Sequence, residues 1–288
     1  MPAPSDVVTR IDPLPAAVAA AFAGNRSSRL ARVWSTAWPK LLAVAIAIGL
    51  WQAVVWTGWK EEYILPSPFT VFRVFWEQHS QLWGATGTTI GRAVKGYLVA
   101  LGIGGSIGLA VAQSRVLRAG VGSMITGLQT MPSIAWFPFA ILMFKLTEGA
   151  ILFVVVLGAA PSIANGLIIG VDQIPPVLLR AGRVLGARGP RFVRLVVLPA
   201  ALPSFVGGLK QGWAFAWRSL LAGELIVLLG KESLGQQLDA NRVLADYPGM
   251  YAVMLAIFLV GIVVDALFFG RIERWIRGRY GLVDAADA

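Results

Sequence analysis

The chain has 288 residues, a net charge of +10, 57% hydrophobic residues and only 14% charged ones. A water-soluble domain carries about 25% charged residues, so the composition excludes an ordinary soluble protein, and the basic excess points to cytoplasmic loops rather than to nucleic acid. The absence of cysteine rules out disulfides, thiolate metal sites and a cysteine nucleophile, and the single histidine, His79, leaves few metal or acid–base constellations.

In chain order, residues 1–38 form a basic tail with Arg10, Arg26, Arg29 and Arg32, expected to be cytoplasmic and partly disordered; its apolar run Val18 to Phe22 is too short for a signal-peptide core. The first span is Leu41 to Val55, with Trp38, Trp56 and Trp59 placed for the two interfaces. Ser67 caps, and Pro68 opens, an outer amphipathic helix over about 67–79, with Val71, Phe72, Phe75 and Trp76 on one face and His79 as a surface residue. The second span, Thr88 to Ala112, carries Gly102, Gly104, Gly105 and Gly108 for close helix approach. Arg92 and Lys95 fall in its first turns, from which long cations snorkel outward.

The third span, Gly120 to Phe144, contains Pro132 and Pro138 and is expected to be broken. Broken backbone in a membrane is tolerated against protein or a water-filled cavity, which makes Met131, Pro132 and Trp136 candidates for lining a pathway. The fourth span covers Ala150 to Val171, with Pro161 and Asn165 inside it.

Next comes a polar interval, 172–199, with Arg180, Arg183, Arg188, Arg191 and Arg194 against one acid, Asp172. Pro175-Pro176 opens a short helix whose apolar face is Val177, Ala181, Val184 and Leu185. Gly186 and then Gly189-Pro190 break it; Phe192 to Leu198 resumes as an apolar segment that Leu198-Pro199 closes. The fifth span, Ser204 to Gly230, holds Lys210, Arg218 and Glu224, and a polar loop over 231–248 leads to the sixth, Met250 to Phe269, with Asp265 near its end. Arg271, Arg274, Arg277 and Arg279 precede a short tail, 281–288. With the N-terminus inside, sixteen of the 25 Lys and Arg residues lie in inner segments and seven in outer ones, which favours both termini and 172–199 on the cytoplasmic side.

No catalytic signature is present. Gly230-Lys231-Glu232-Ser233 lacks both the leading glycine of a phosphate loop, where Leu225 stands, and the hydroxyl residue after the lysine, so the chain is not expected to hydrolyse ATP. Ionisable groups within a span are functional candidates. Arg218 could hold an oxyanion through charge-assisted hydrogen bonds; alternatively, Arg218 and Glu224 could be structural partners of each other or of a neighbouring span, although a separation of six suits a same-helix bridge poorly.

Arg180-Ala181-Gly182, Gly186 and Val197-Leu198-Pro199 resemble the cytoplasmic loop of importer permeases of the ATP-binding cassette (ABC) class, which reads Glu-Ala-Ala, then Gly, then hydrophobic-Leu-Pro. Arg180 replaces the glutamate and Gly182 the second alanine. Ile64 to Pro68, Met131 to Pro138, Pro199 to Pro203 and Leu221-Ala-Gly-Glu224 are similar to the branch importing nitrate, taurine and aliphatic sulfonates, so the likeness covers roughly residues 40–280.

That resemblance implies an all-α integral membrane protein with six transmembrane helices in the type I ABC importer permease fold, N-in/C-in, in the bacterial plasma membrane. It implies a second permease chain, either an identical copy in a homodimer or a sister permease in a heterodimer, two cytoplasmic ATPases that hold ATP and Mg, an extracytoplasmic solute-binding protein and surrounding lipid. No cofactor or metal on this chain is implied, and no nucleic acid. It places ATPase coupling on Ala181, Gly182, Val184, Leu185, Gly186, Leu198 and Pro199, while the broken span and the ionisable groups within a span make Met131, Pro132, Trp136, Arg218 and Glu224 the candidates for the translocation path. The five arginines of 180–194 serve either as ATPase contacts or as ordinary positive-inside residues beside anionic lipid. The rival, a secondary transporter working without an ATPase, would need ion-coupling carboxylates within its spans, where only Glu224 and Asp265 stand.

Overall fold

The computed structural model describes residues 29–280; residues 1–28 and 281–288, which hold most of the expected tails, lie outside the described residues. The chain divides into two units, Met1–Trp59 and Lys60–Ala288. The first contains one described helix, α1 (Arg29–Trp56), whose membrane-crossing stretch is Ala37–Trp56. The helix therefore begins well before Leu41, inside the segment expected to be tail.

In the second unit, α2 (Pro68–Glu77) opens as its sequence requires: Ser67 Oγ accepts from the Thr70 N–H at 3.3 Å, and Pro68 occupies the first turn, where a missing N–H is harmless. Val71 is buried on one side, and Phe69 and Trp76 remain exposed on the other. His79 does not end this helix. It opens the next one, α3 (His79–Gln113), where it is exposed and its Nδ1 donates to the Trp76 carbonyl at 2.7 Å. At 1.5 Å per residue the 35-residue α3 is about 52 Å long, well beyond a bilayer core of about 30 Å.

The third span is broken where its prolines stand. α4 (Arg115–Thr130) ends before Pro132, a 3₁₀ turn covers Ser133–Trp136, and α5 (Phe137–Phe144) departs with Pro138 in its first turn, the two arms being bent by 101°. α6 (Glu148–Asp172) follows. It is apolar all round, as a helix surrounded by protein must be, and 61% of its most apolar window is buried.

The polar interval folds as α7 (Pro176–Val184), a single turn α8 (Gly189–Phe192), a π-helical turn Val193–Val197, and α9 (Leu198–Ile226). Gly189–Ile226 is one continuous helical stretch, so Leu198-Pro199 lies within it, where the π turn passes into α9, rather than closing the segment before it. The reason is that proline both terminates a helix and suits its first turn, and the neighbouring π turn accommodates the ring. The expected loop 231–248 is also largely helical: α10 (Leu234–Val243) is capped by Ser233, and Asp246 caps α11 (Tyr247–Val263) by accepting from the Gly249 N–H at 3.0 Å. A second π turn, Val264–Phe269, leads into amphipathic α12 (Gly270–Arg279).

Among the described residues, five helices are long and apolar enough to cross a membrane, or six when the bent pair counts as one span. α6 sits at the centre, with α3 and α9 against it. Added Cβ atoms on Gly104 and Gly108 would lie 2.4 and 2.7 Å from the Ala160 and Ala164 carbonyl oxygens, so these two expected glycines do admit a neighbouring backbone. Gly102 and Gly105 face open space. Ile151, Val154, Val155, Ile163 and Leu220 fill the core around this contact.

Candidate translocation cavity and coupling loop

The break after α4 opens a cavity of about 360 Å³ lined by Gln129, Met131, Pro132, Ser133 and Ile134 from the broken span, Gly158 from α6, and Phe215 and Arg218 from α9. Three of the five expected path residues, Met131, Pro132 and Arg218, thus come together. Ser133 Oγ and Ser219 Oγ lie 2.6 Å apart and tie the bend to α9. Gly158 is required at the same point, since a Cβ there would lie 2.6 Å from Ser219 Oγ. Behind the bend, Gln129 donates to Ser162 Oγ at 3.4 Å and accepts from Asn165 at 3.5 Å, which keeps polar groups on the wall of an otherwise apolar bundle.

Arg218 is exposed. Its Nε donates to the Ala214 carbonyl one turn back at 3.1 Å, and its guanidinium carbon lies 5.0 Å from the Phe215 ring centroid. It pairs with no carboxylate among the described residues. The guanidinium is a fixed cation that presents several donors at the cavity.

The other two expected path residues lie elsewhere. Trp136 is half-buried and packs edge-on against Phe139 at 6.3 Å. Glu224 is fully buried and does not line the cavity. Arg92 Nη1 donates to its Oε1 at 2.9 Å, Thr89 Oγ1 to its Oε2 at 2.9 Å, and the Gly235 N–H to the same Oε2 at 3.2 Å. Thr89 Oγ1 in turn accepts from the Leu234 N–H at 2.9 Å. Arg92 was expected to reach outward, but only 5% of it is exposed. Because α3 starts at His79, Arg92 lies several turns inside it, and a buried carboxylate faces it. Lys95, one turn further on, does stay exposed and pairs with Glu148 at 3.5 Å. The same default that singled out Glu224, an ionisable group in a span, would have singled out Arg92.

At the other end of α9 the expected coupling residues divide by face. Val184 and Leu185 are each 86% exposed, and Val177 and Ala181 are exposed beside them. Gly182 points the opposite way, where a Cβ would fall 2.7 Å from Val196 Cγ2. Gly186 has φ +83°, a left-handed conformation that closes α7 and that side chains with a Cβ disfavour. Leu198 is partly exposed, and the Pro199 carbonyl accepts from the Tyr280 hydroxyl at 2.7 Å. The loop is braced at its base: Arg118 donates to Asp172 at 2.5 Å and to the Ala112 carbonyl at 3.2 Å, and Ser204 donates to Gln173 at 2.6 Å.

A multi-pass helical subunit with a cavity holding a few polar groups at a broken span, and a short helix with an exposed apolar face at one end, is built as a transport subunit. The family described as the binding-protein-dependent transport system inner membrane component matches residues 85–278, and the chain belongs to that family. It is therefore a multi-pass inner-membrane protein and an ABC importer permease, a subunit class that implies ATPase and binding-protein partners. The chain is 28% identical to a Bacillus subtilis permease named for aliphatic sulfonates transport, over 82% of this chain and 86% of the relative. It is 26% identical to the nitrate import permease protein NrtB of Synechococcus elongatus, over 83% and 88%. Another relative, from Chloroflexus aurantiacus, is named for riboflavin transport. Among solved structures, the MetNI methionine ABC transporter in an inward-facing conformation shares the fold, with a TM-score of 0.57 at 21% identity, covering 73% of this chain and 98% of that one.

Proposed function

We propose that the chain forms, as two identical copies, the pathway of an ATP-driven importer for a small oxyanion such as a sulfonate, taurine or nitrate. Relatives are named for different solutes, so kinship alone does not select one. The observation that carries the choice is Arg218: an exposed guanidinium at the wall of a cavity formed by a broken span, with no carboxylate partner among the described residues. A monovalent oxyanion group, nitrate itself or the sulfonate of an alkanesulfonate or taurine, matches it in charge and in hydrogen bonding.

The exposed face of α7, Val177, Ala181, Val184 and Leu185, is the proposed seat of a cytoplasmic ATPase. Closure of two ATPases around ATP and Mg would move this helix, and α9 would carry the movement to Arg218. A secondary transporter is disfavoured because both carboxylates it would need, Glu224 and Asp265, are engaged by cations, Arg92 at 2.9 Å and Lys210 at 3.0 Å.

The test is uptake of labelled taurine and nitrate into proteoliposomes holding the assembled transporter, its binding protein and Mg-ATP. Arg218→Ala is expected to assemble normally and to lower uptake about tenfold or more, the loss of one charge-assisted contact, with Arg218→Lys in between. Undiminished uptake by Arg218→Ala sinks the anion assignment.

A further inference from the structure

Arg92 and Glu224 do more than neutralise each other. α9 runs unbroken from Leu198, at the end of the coupling loop, past Arg218 at the cavity, to Glu224 in its last turn. At 1.5 Å per residue, Leu198 and Glu224 are separated by about 39 Å along that axis. Glu224 is therefore where a rod that begins beside α7 meets the far end of the subunit.

What it meets there is α10. The Gly235 N–H donates to Glu224 Oε2 at 3.2 Å, and the Leu234 N–H reaches the same oxygen through Thr89 Oγ1, with both links at 2.9 Å. These are the first two residues of α10, whose N–H groups have no acceptor within their own helix. A carboxylate also suits the positive end of that helix. Arg92 balances the charge, so that Glu224 accepts from every donor around it. There is no slack in the joint: a Cβ on Gly235 would lie 2.4 Å from Glu224 Cβ. Gln236 Nε2 donates to the Val227 and Leu229 carbonyls at 3.2 and 3.0 Å, so the segment joining α9 to α10 is held by the same helix.

We infer that Arg92 and Thr89, both on α3, and Glu224 are positioning residues that lock this part of α3, the end of α9 and the start of α10 into one body, so that a displacement of the coupling loop is delivered to the opposite mouth of the pathway. The inference rests on the proposed function for its direction of transport. It assigns the joint to a buried carboxylate and a threonine hydroxyl rather than to apolar packing alone.

The test uses the complete transporter, permease with its ATPases, in nanodiscs, with Thr89→Val, Thr89→Ser and Arg92→Lys. Hydrogen exchange of residues 227–243 is read in the nucleotide-free and vanadate-trapped states, and ATP hydrolysis is read with and without the binding protein purified with the solute it carries. The wild-type segment is expected to exchange slowly in both states. In Thr89→Val it should exchange about tenfold faster. Basal hydrolysis should then stay within about twofold while stimulation by the binding protein falls about fivefold or more. Thr89→Ser, which keeps the hydroxyl, should restore both, and Arg92→Lys, which keeps the charge, should retain most of the stimulation.

A tenfold rise in wild-type exchange on vanadate trapping would overturn the inference, because the joint would then open rather than move. So would a loosened Thr89→Val segment with normal stimulation, or a Thr89→Ser variant that restores nothing. Stimulation of the wild-type complex in the same assay tests the proposed function separately.

Discussion

Gly166 on α6 and Gly208 on α9 meet backbone to backbone: a Cβ added to Gly166 would lie 2.5 Å from the Gly208 Cα. Nothing flexible separates the two helices at this point, so a side chain there must part them. Gly208→Leu is expected to lower stability by about 3 kcal/mol, the upper end of the usual overpacking cost. Gly207, its neighbour, faces open space, and Gly207→Ala should be neutral or stabilising by up to about 1 kcal/mol through helix propensity. Thermal unfolding of the two variants in detergent checks the contrast.

Removing one member of the buried ion pair should be worse than removing both. Glu224→Ala leaves Arg92 charged and enclosed, which costs about 3–5 kcal/mol. The double variant Arg92→Leu/Glu224→Leu leaves no orphaned charge but still strands the hydrogen-bonding partners of Glu224, at about 1–3 kcal/mol each. The double variant is therefore expected to melt above Glu224→Ala and below the wild type. A double variant less stable than the single one would contradict this account of the site.

Docking through α7 should depend on apolar contact. Leu185→Asp changes a residue that is 86% exposed, so the subunit alone should stay within about 0.5 kcal/mol of wild-type stability. Its co-purification with the ATPase should nevertheless collapse. Gly186→Val acts differently: φ +83° strains a β-branched residue by about 1–2 kcal/mol, so α7 should be misplaced and ATPase coupling weakened even when the subunits remain associated. Pull-down yields and ATP-dependent uptake separate the two effects. A Gly186→Val variant that coupled normally would argue against this placement of the turn.

Tyr280 ties α12 to the start of α9 through the Pro199 carbonyl at 2.7 Å. Tyr280→Phe removes only that hydroxyl and is expected to cost about 1 kcal/mol, most of it local. Limited proteolysis should therefore cleave the C-terminal helix faster while global unfolding barely shifts.

Much of this architecture was legible because it is local. The expected fourth span, Ala150 to Val171, falls inside the observed Glu148–Asp172, since a long apolar run needs no distant partner to be recognised. Ser67, Pro132 and Gly186 act through their own backbone geometry, and each does in the structure what its residue type implies. The misread features are the non-local ones. Arg92 and Glu224 stand 132 residues apart in the chain, and nothing near Arg92 indicates that a carboxylate will face it. α10 is polar and weakly amphipathic, so its helicity depends on the cap and on the partners waiting at its first turn. Leu198-Pro199 reads locally as a stop, yet the helix runs on through it, which only the segment beyond it reveals. At the candidate site, Arg218, Met131 and Pro132 were found by chemistry and chain breaks, whereas the Ser133–Ser219 contact across the bend required the fold.

The bare face of α7 has a consequence for the economy of the cell. A chain synthesised without the ATPase proposed to dock there would leave Val184 and Leu185 uncovered, and exposed apolar residues attract chaperones, proteases and other unassembled chains. If α7 seats the ATPase as proposed, the level of the permease would follow the supply of its partner, through the lifetime of the orphan as well as through gene expression.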